Sequence, residues 1–100
     1  MILIAGSFPV DGTQREAIIE ATNAVRVATL AEDGCSEYRF SFACDDDNTV
    51  LIFEEWRDQE ALTAHFSTPH LAAFQGQMVQ FLVGAPAVYR YEASSKGSLR

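Results

Sequence analysis

The spacing of apolar residues changes along the chain and divides it into strands and helices. Continuous or alternating apolar runs, which are typical of strands, cover residues 1–8, 35–44, 49–57 and 86–93. Apolar residues three and four apart predict one helix between the first two strands and a helical region between the last two. The order strand, helix, strand, strand, helix, strand predicts a ferredoxin-like α+β fold. In this βαββαβ fold a four-stranded antiparallel sheet carries both helices on one face.

Polar residues and a glycine mark where the helices begin and end. Thr13 and Glu16 have the spacing of a capping box, which opens the first helix, and Gly34 ends that helix. Asp58 is placed to cap a second, short helix. Thr68 precedes a proline, and this pair predicts the start of a third helical piece.

Two strands are apolar at every position, which predicts a second layer of protein over the sheet. Residues 1–5 (MILIA) and 50–53 (VLIF) do not alternate, whereas strands with one face in water do. The helices can cover only one face of the sheet. We therefore expect a homodimer in which two copies pair through the sheet face and form a dimeric α+β barrel.

Composition limits the classes of partner. The chain has 100 residues, of which 48% are hydrophobic, and a net charge of −7. We expect one domain over 1–93 with a flexible tail over 94–100. The negative charge disfavours nucleic acid, and the apolar runs are too short to span a membrane. Cys35 and Cys44 lie too far apart along one strand to form a disulfide, and we recognise no export signal, so we expect a cytoplasmic protein.

The predicted pairing of the second and third strands brings candidate site residues together. A short turn over 45–48 predicts that Arg39 lies opposite Glu54. This register turns Arg39, Glu54 and Trp56 toward the helices, where His65 can approach them from above. A histidine exchanges protons near neutral pH, so the group predicts a small pocket with acid–base chemistry. The apolar wall of this pocket is predicted to contain Leu62, Phe66 and Ile52.

The same register places five apolar side chains on the opposite face of the sheet, which would suit the dimer interface. They are Tyr38, Phe40, Phe42, Leu51 and Phe53. A one-residue bulge in this hairpin would shift the pairing and change which side chains share a face.

Each candidate site residue also has a purely structural interpretation. Arg39 and Glu54 fit a cross-strand ion pair, Trp56 fits a core position, and His65 fits a hydrogen-bonded core histidine. His65 and His70 are five residues apart, whereas a metal-binding pair on one helix needs a spacing of four. We also find no zinc, calcium-loop or phosphate-loop pattern, so neither a metal nor another cofactor is expected.

Four short motifs resemble the antibiotic biosynthesis monooxygenase family, which comprises quinol-monooxygenase-like proteins of the dimeric α+β barrel superfamily. They are Gly-Cys-x-x-Tyr at 34–38, Glu-x-Trp at 54–56, the histidine at 65, and Thr-Pro-His at 68–70. In element order the resemblance covers nearly the whole chain.

The resemblance implies an enzyme that oxidises a small phenol or quinol with molecular oxygen, without metal or flavin. The substrate anion would supply the electrons, and the protein would take a proton and exclude water. By the same resemblance His65 would be the catalytic base, or the hydrogen-bond partner of a substrate hydroxyl. Trp56 would form a wall of the site, and Arg39 would stabilise the developing oxyanion.

Differences from the family pattern exclude some of the reactions that family members catalyse. Members that oxidise polyketide anthrones have asparagine and tyrosine where this chain has Ile52 and Leu62, and haem-degrading relatives have a histidine ligand near the position of Gln75. The remaining histidine-bearing branch also includes isomerases of a phosphorylated autoinducer. Isomerisation of a small oxygenated metabolite, and ligand binding without turnover, are therefore the alternatives to oxidation.

Overall fold

The computed structural model describes residues 1–100 and shows one sheet with helices packed on one side. The strands pair antiparallel in the order β2-β3-β1-β4. This arrangement confirms the predicted ferredoxin-like α+β fold. In chain order the elements are β1 (Ile2–Pro9), a 3-10 turn (Gly12–Gln14), α1 (Arg15–Leu30), β2 (Cys35–Ala43), β3 (Asp46–Trp56), α2 (Gln59–His65), α3 (Pro69–Met78) and β4 (Ala87–Glu92).

The first helix begins one residue later than the sequence predicts. Asp11 caps the 3-10 turn, and its Oδ1 accepts hydrogen bonds from the backbone N–H and the hydroxyl of Thr13, at 3.0 and 2.6 Å. Thr13 therefore does not cap α1, and the predicted capping box is wrong. The apolar stripe was correctly predicted, because Ile18, Ala21 and Val25 are all buried against the sheet.

The register of the β2–β3 hairpin differs from the predicted one by one residue. Ala43 pairs with Asp46 across a tight turn, but Phe42 pairs with Val50, so residues 47–49 bulge out of the ladder. Side chains within the hairpin hold the bulge, since Oδ1 of Asp46 accepts the backbone N–H of Asn48 at 2.8 Å. Each residue of β2 from 37 to 42 consequently faces the β3 residue one position earlier in the sequence than a plain turn would give.

This bulge exchanges the two faces of β2. Tyr38 lies opposite Glu54, and Tyr38, Phe40 and Phe42 turn toward the helices instead of the dimer face. Arg39 lies opposite Phe53, on the open face. The predicted pocket position of Arg39 and the predicted position of the three aromatic residues are both wrong for this reason.

The open face of the sheet remains apolar, as the sequence pattern predicts. Leu51 and Phe53 are each 41% exposed on this face, and Tyr89 and Tyr91 from β4 lie on it as well. No helix of the chain covers them, so this face is available to another protein surface.

The junction between α2 and α3 follows the predicted caps. Oδ1 of Asp58 accepts the backbone N–H of Ala61 at 2.9 Å and opens α2. The helix ends at His65, whose carbonyl oxygen accepts the Thr68 hydroxyl at 2.7 Å just before α3 starts at Pro69. The break places the last residue of α2 close to the first turn of α3.

Several smaller expectations can be compared with the structure. Cys35 and Cys44 are both free thiols, as predicted. Residues 94–100 contain no helix or strand, although Nζ of Lys96 lies 3.1 Å from Oε1 of Glu55. None of the helices combines the length and apolar character needed to cross a membrane.

Gly34 adopts a backbone conformation that other residues rarely take. Its φ angle is +89°, and a Cβ at this position would lie 2.6 Å from the Cβ of Ala61. The glycine lets the loop after α1 lie directly against α2.

Gly34→Ala should lower the free energy of unfolding by about 1–3 kcal/mol, because it adds both backbone strain and a clash. Gly76→Ala is the matched control, since a Cβ there meets no atom within 4 Å and the site is helical. The control should leave stability unchanged or raise it by about 0.5–1 kcal/mol. Chemical denaturation of both variants measures the difference, and equal effects would contradict this account of Gly34.

Candidate functional site

A cavity of about 370 Å³ lies between the sheet and the helices α2 and α3. Twelve of its sixteen lining residues are hydrophobic, so it suits a small, mostly apolar ligand. The polar groups at its wall are few and come from different elements. The lining includes His65, Glu54, Leu62, Phe66, Ile52, Tyr38, Phe40, Phe74, Gln75 and Arg90.

His65 is held at this wall by a hydrogen bond behind it. The side chain is 2% exposed, and its Nδ1 lies 2.7 Å from Oε2 of Glu32, in the loop after α1. A carboxylate only accepts, so the neutral ring carries its proton on Nδ1. Its Nε2 is then an acceptor without a partner in the chain, and because the ring lines the cavity, Nε2 is free to meet a ligand there.

Aromatic rings fix the orientation of His65. Its ring centroid lies 4.8 Å from that of Trp56 and 5.3 Å from that of Tyr38, the latter edge to face. Trp56 itself is completely buried, and it packs behind His65 and Glu54 rather than lining the cavity. The sequence predicts Trp56 at the wall of the pocket, whereas in the structure Trp56 supports the wall residues from behind.

Glu54 is a buried carboxyl with an altered affinity for protons. It is 6% exposed, and its Oε1 accepts the indole N–H of Trp56 at 2.8 Å. Burial raises the pKa of Glu54 to about 7, the Trp56 hydrogen bond opposes that rise, and the nearby charge of Glu32 adds to it. Glu54 can therefore hold or release a proton near neutral pH inside the cavity.

Arg39, which the sequence analysis assigned to the site, lies outside it. It is on the open face of the sheet, where its Nε lies 3.9 Å from Oε2 of Glu37. The expected ion pair with Glu54 is also absent. The cation at the cavity is Arg90 of β4, which lies opposite Ile4 and donates to Oε1 of Gln59 at 2.5 Å.

Three further site residues were not identified from the sequence. Tyr38 was missed because of the one-residue register error, and its burial raises the pKa of its hydroxyl. Glu32 lies in a loop far from His65 in sequence, and no local spacing connects the two. His70 was not assigned to the site, yet its side chain is only 26% exposed and its Nε2 lies 2.7 Å from the same Glu32 oxygen.

The cysteines do not contribute reactive groups to this cavity. Neither is among its lining residues. Burial is the largest factor that raises the pKa of the Cys35 thiol to about 11, so it stays protonated and unreactive at neutral pH.

Comparison with known proteins gives the class to which this fold and cavity belong. The model of the antibiotic biosynthesis monooxygenase family matches residues 1–77. The chain therefore belongs to that family, as the sequence motifs indicated.

Individual relatives agree with this assignment. The chain is 34% identical over 74 residues to a Mycobacterium tuberculosis protein named "Putative monooxygenase Rv0793", covering 74% of this chain and 72% of that one. It is 26% identical over 94 residues to "Putative monooxygenase YcnE" of Bacillus subtilis, covering 94% and 99% of the two chains.

Solved structures show the same fold. The structure of Rv0793 superimposes with a TM-score of 0.85 at 26% identity and covers 97% of this chain and 98% of that one. A protein of Deinococcus radiodurans named "putative antibiotic biosynthesis monooxygenase" gives a TM-score of 0.89 at 21% identity, covering 100% of this chain and 99% of that one.

Glu54→Gln should change how stability depends on pH. Because the folded pKa of Glu54 is about 7 against 4.5 for a free carboxyl, folded protein keeps a proton that the unfolded chain releases between these values. Wild-type stability should therefore fall as pH rises through this interval. The glutamine variant does not lose this stability, so its free energy of unfolding relative to wild type should increase by on the order of 3 kcal/mol across the interval.

Denaturant unfolding at several pH values measures this difference. His65, Arg90, Glu32, Tyr38 and Cys35 are the other titratable or charged groups near Glu54. Glu92→Gln is the control, since Glu92 is exposed and Arg90 lowers its pKa. That variant should show no such increase. Parallel stability profiles for wild type and Glu54→Gln would show that Glu54 is not protonated by burial.

Proposed function

We propose that this protein is a cofactor-independent monooxygenase that oxidises a small phenol or quinol with molecular oxygen. The observation that carries the proposal is the position of His65, with one nitrogen bonded to Glu32 and the other free at the wall of an apolar cavity. Membership of the family supports the class of reaction. The apolar lining supports an aromatic ligand.

The reaction needs few groups from the protein. A hydroquinone and O₂ give a hydroxyquinone and water, so the substrate itself supplies all four electrons. The protein has to remove the hydroxyl proton, because the resulting anion is the more reducing species. It also has to keep water away from the reacting carbon.

Particular residues of the cavity suit these tasks. Nε2 of His65 accepts the proton from the substrate hydroxyl, while Glu32 stabilises the resulting imidazolium through Nδ1. Ile52, Leu62 and Phe66 contact the ring of the substrate and exclude water. Glu54, whose pKa burial raises to about 7, can in its protonated form donate a hydrogen bond to a second substrate oxygen.

An isomerase of a small oxygenated metabolite is the second candidate. The presence of Arg90 at the cavity favours it, since a guanidinium can bind an anionic substrate group. His65 and Glu54 would then act as base and acid on neighbouring carbons, and no oxygen would be consumed. Oxygen uptake separates the two reactions, because only the oxidation consumes oxygen. A cavity that binds ligands without turnover would show neither oxygen uptake nor isomerisation.

We also propose that the protein forms a homodimer through the open face of its sheet. Leu51, Phe53, Tyr89 and Tyr91 expose apolar surface there, and a second sheet of the same twist would cover it. Two free cysteines fit a reducing compartment such as the cytoplasm. The excess negative charge offers no surface suited to nucleic acid.

His65→Ala should lower turnover about 10²–10⁴-fold, because the base is lost while the cavity remains. Oxygen uptake across a panel of hydroquinones, with a metal chelator present, measures the effect per folded protein. Thr63→Ala, on the exposed side of the same helix, is the control and should keep wild-type turnover. A folded His65→Ala protein with wild-type oxygen uptake would end the catalytic assignment.

Phe53→Asp should convert the dimer into a monomer, because it places a charge in the centre of the apolar sheet face. Light scattering should give about twice the chain mass of 11.0 kDa for wild type and the single mass for the variant. Val79→Asp is the control, since Val79 is 75% exposed beyond the end of α3 and its variant should stay dimeric. A monomeric wild type at micromolar concentration would refute the dimer.

A further inference from the structure

Glu32, His65 and His70 meet at one point although three separate parts of the chain supply them. Oε2 of Glu32 lies 2.7 Å from Nδ1 of His65 and 2.7 Å from Nε2 of His70. All three donor atoms lie within 4.8 Å of one another. The proposed function uses the pair of Glu32 and His65 and gives no role to His70.

We propose that Glu32, His65 and His70 form a binding site for one divalent first-row transition cation, such as Zn²⁺. Two imidazole nitrogens and one carboxylate oxygen are the donors that these cations take in proteins. Mg²⁺ and Ca²⁺ prefer sites made of oxygen donors alone, so they do not suit this set.

Two of the three donor separations are close to what a bound ion requires. Two donors that are each about 2.1 Å from one ion, at angles near 90–110°, lie about 3.0–3.4 Å from each other. The two oxygen–nitrogen distances of 2.7 Å are a few tenths of an ångström shorter, and the two ring nitrogens lie within 4.8 Å of each other. Rotations of Glu32 and the half-buried His70 would bring the three donors to these separations, and the remaining coordination positions would be open to water.

A surface cleft gives an ion access to this site. Its wall contains Glu32 and Thr68 and the carboxylates of Asp33 and Glu60, and it shares no residue with the apolar cavity. Arg57 also lies in the cleft, but Asp33 and Asp58 already pair with it, at 3.1 and 3.2 Å. The cleft is therefore negatively charged and attracts cations, and it is separate from the apolar cavity.

Metal binding would have a consequence for His65, and this consequence rests on the proposed function. An ion on Nδ1 leaves the ring proton on Nε2, which then donates a hydrogen bond and no longer accepts a proton. The metal-bound protein should therefore be inactive as a base catalyst. The site itself requires no assumption about the reaction.

Calorimetric titration of the reduced, chelator-treated protein with Zn²⁺ tests the proposal. We expect one ion per chain with a micromolar or tighter dissociation constant. His70→Ala and Glu32→Gln should each weaken binding at least tenfold. Glu60→Gln, which removes a carboxylate from the cleft but no ligand, should keep the stoichiometry, and so should Cys44→Ser, which removes the exposed thiol.

Co²⁺ absorption identifies the donors independently. In wild type we expect bands typical of nitrogen and oxygen donors and no thiolate charge-transfer band. Glu32→Gln should lose these bands, and this result tests the site even if His70→Ala does not fold. No uptake at about 0.1 mM metal would overturn the proposal, because a built site binds far more tightly. Binding that survives both ligand variants, or disappears in Cys44→Ser, would overturn it too.

Turnover in the presence of the ion separates this proposal from the proposed function. Metal that binds as described but does not inhibit oxygen uptake would contradict the role of His65 as base and leave the metal site intact. Failure of the chain to bind Zn²⁺, with normal oxygen uptake, would remove the metal site alone.

Discussion

The arrangement of the site depends on the hydrogen bond between Nδ1 of His65 and Oε2 of Glu32, 2.7 Å long. Without it a buried ring nitrogen would lack a partner, at a cost of about 1–3 kcal/mol. With it, the ring proton is fixed on the side away from the cavity. The bond requires the loop after α1 to lie against α2, which Gly34 permits, and it requires α2 to end at His65, which the Thr68 contact enforces.

Two carboxyl groups near His65 are differentiated by their surroundings. Glu32 lies in the wall of a polar surface cleft, and its Oε2 is within hydrogen-bond distance of ring nitrogens of His65 and His70. Glu54 lies in the apolar cavity and accepts one indole N–H, so burial favours its neutral form. His65 therefore offers an acceptor and the protonated form of Glu54 offers a donor at the same cavity, and such a pair suits a ring that bears hydroxyl groups.

The fold was predictable from the sequence because apolar periodicity, helix caps and element order all agree on one answer. The same apolar periodicity also predicted that Ile52, Leu62 and Phe66 line the cavity and that His65 faces it. The position of Arg39 did not, because the bulge at 47–49 is held by side-chain hydrogen bonds that leave no mark in the apolar pattern. Glu32 and His70 were missed since local spacing compares residues on one helix, whereas the loop after α1 and two separate helices bring these groups together through tertiary packing.

The ring-nitrogen protonation of His65 tests the central claim most directly. Two-bond ¹H–¹⁵N correlation spectra of the chelator-treated protein, with His70→Ala used to assign the signals, distinguish the two tautomers of the neutral ring. We predict that the proton lies on Nδ1 and that Nε2 is unprotonated, and that Glu32→Gln disturbs this preference. A neutral ring with its proton on Nε2 would contradict the account, because the nitrogen at the cavity could then accept no proton from a substrate.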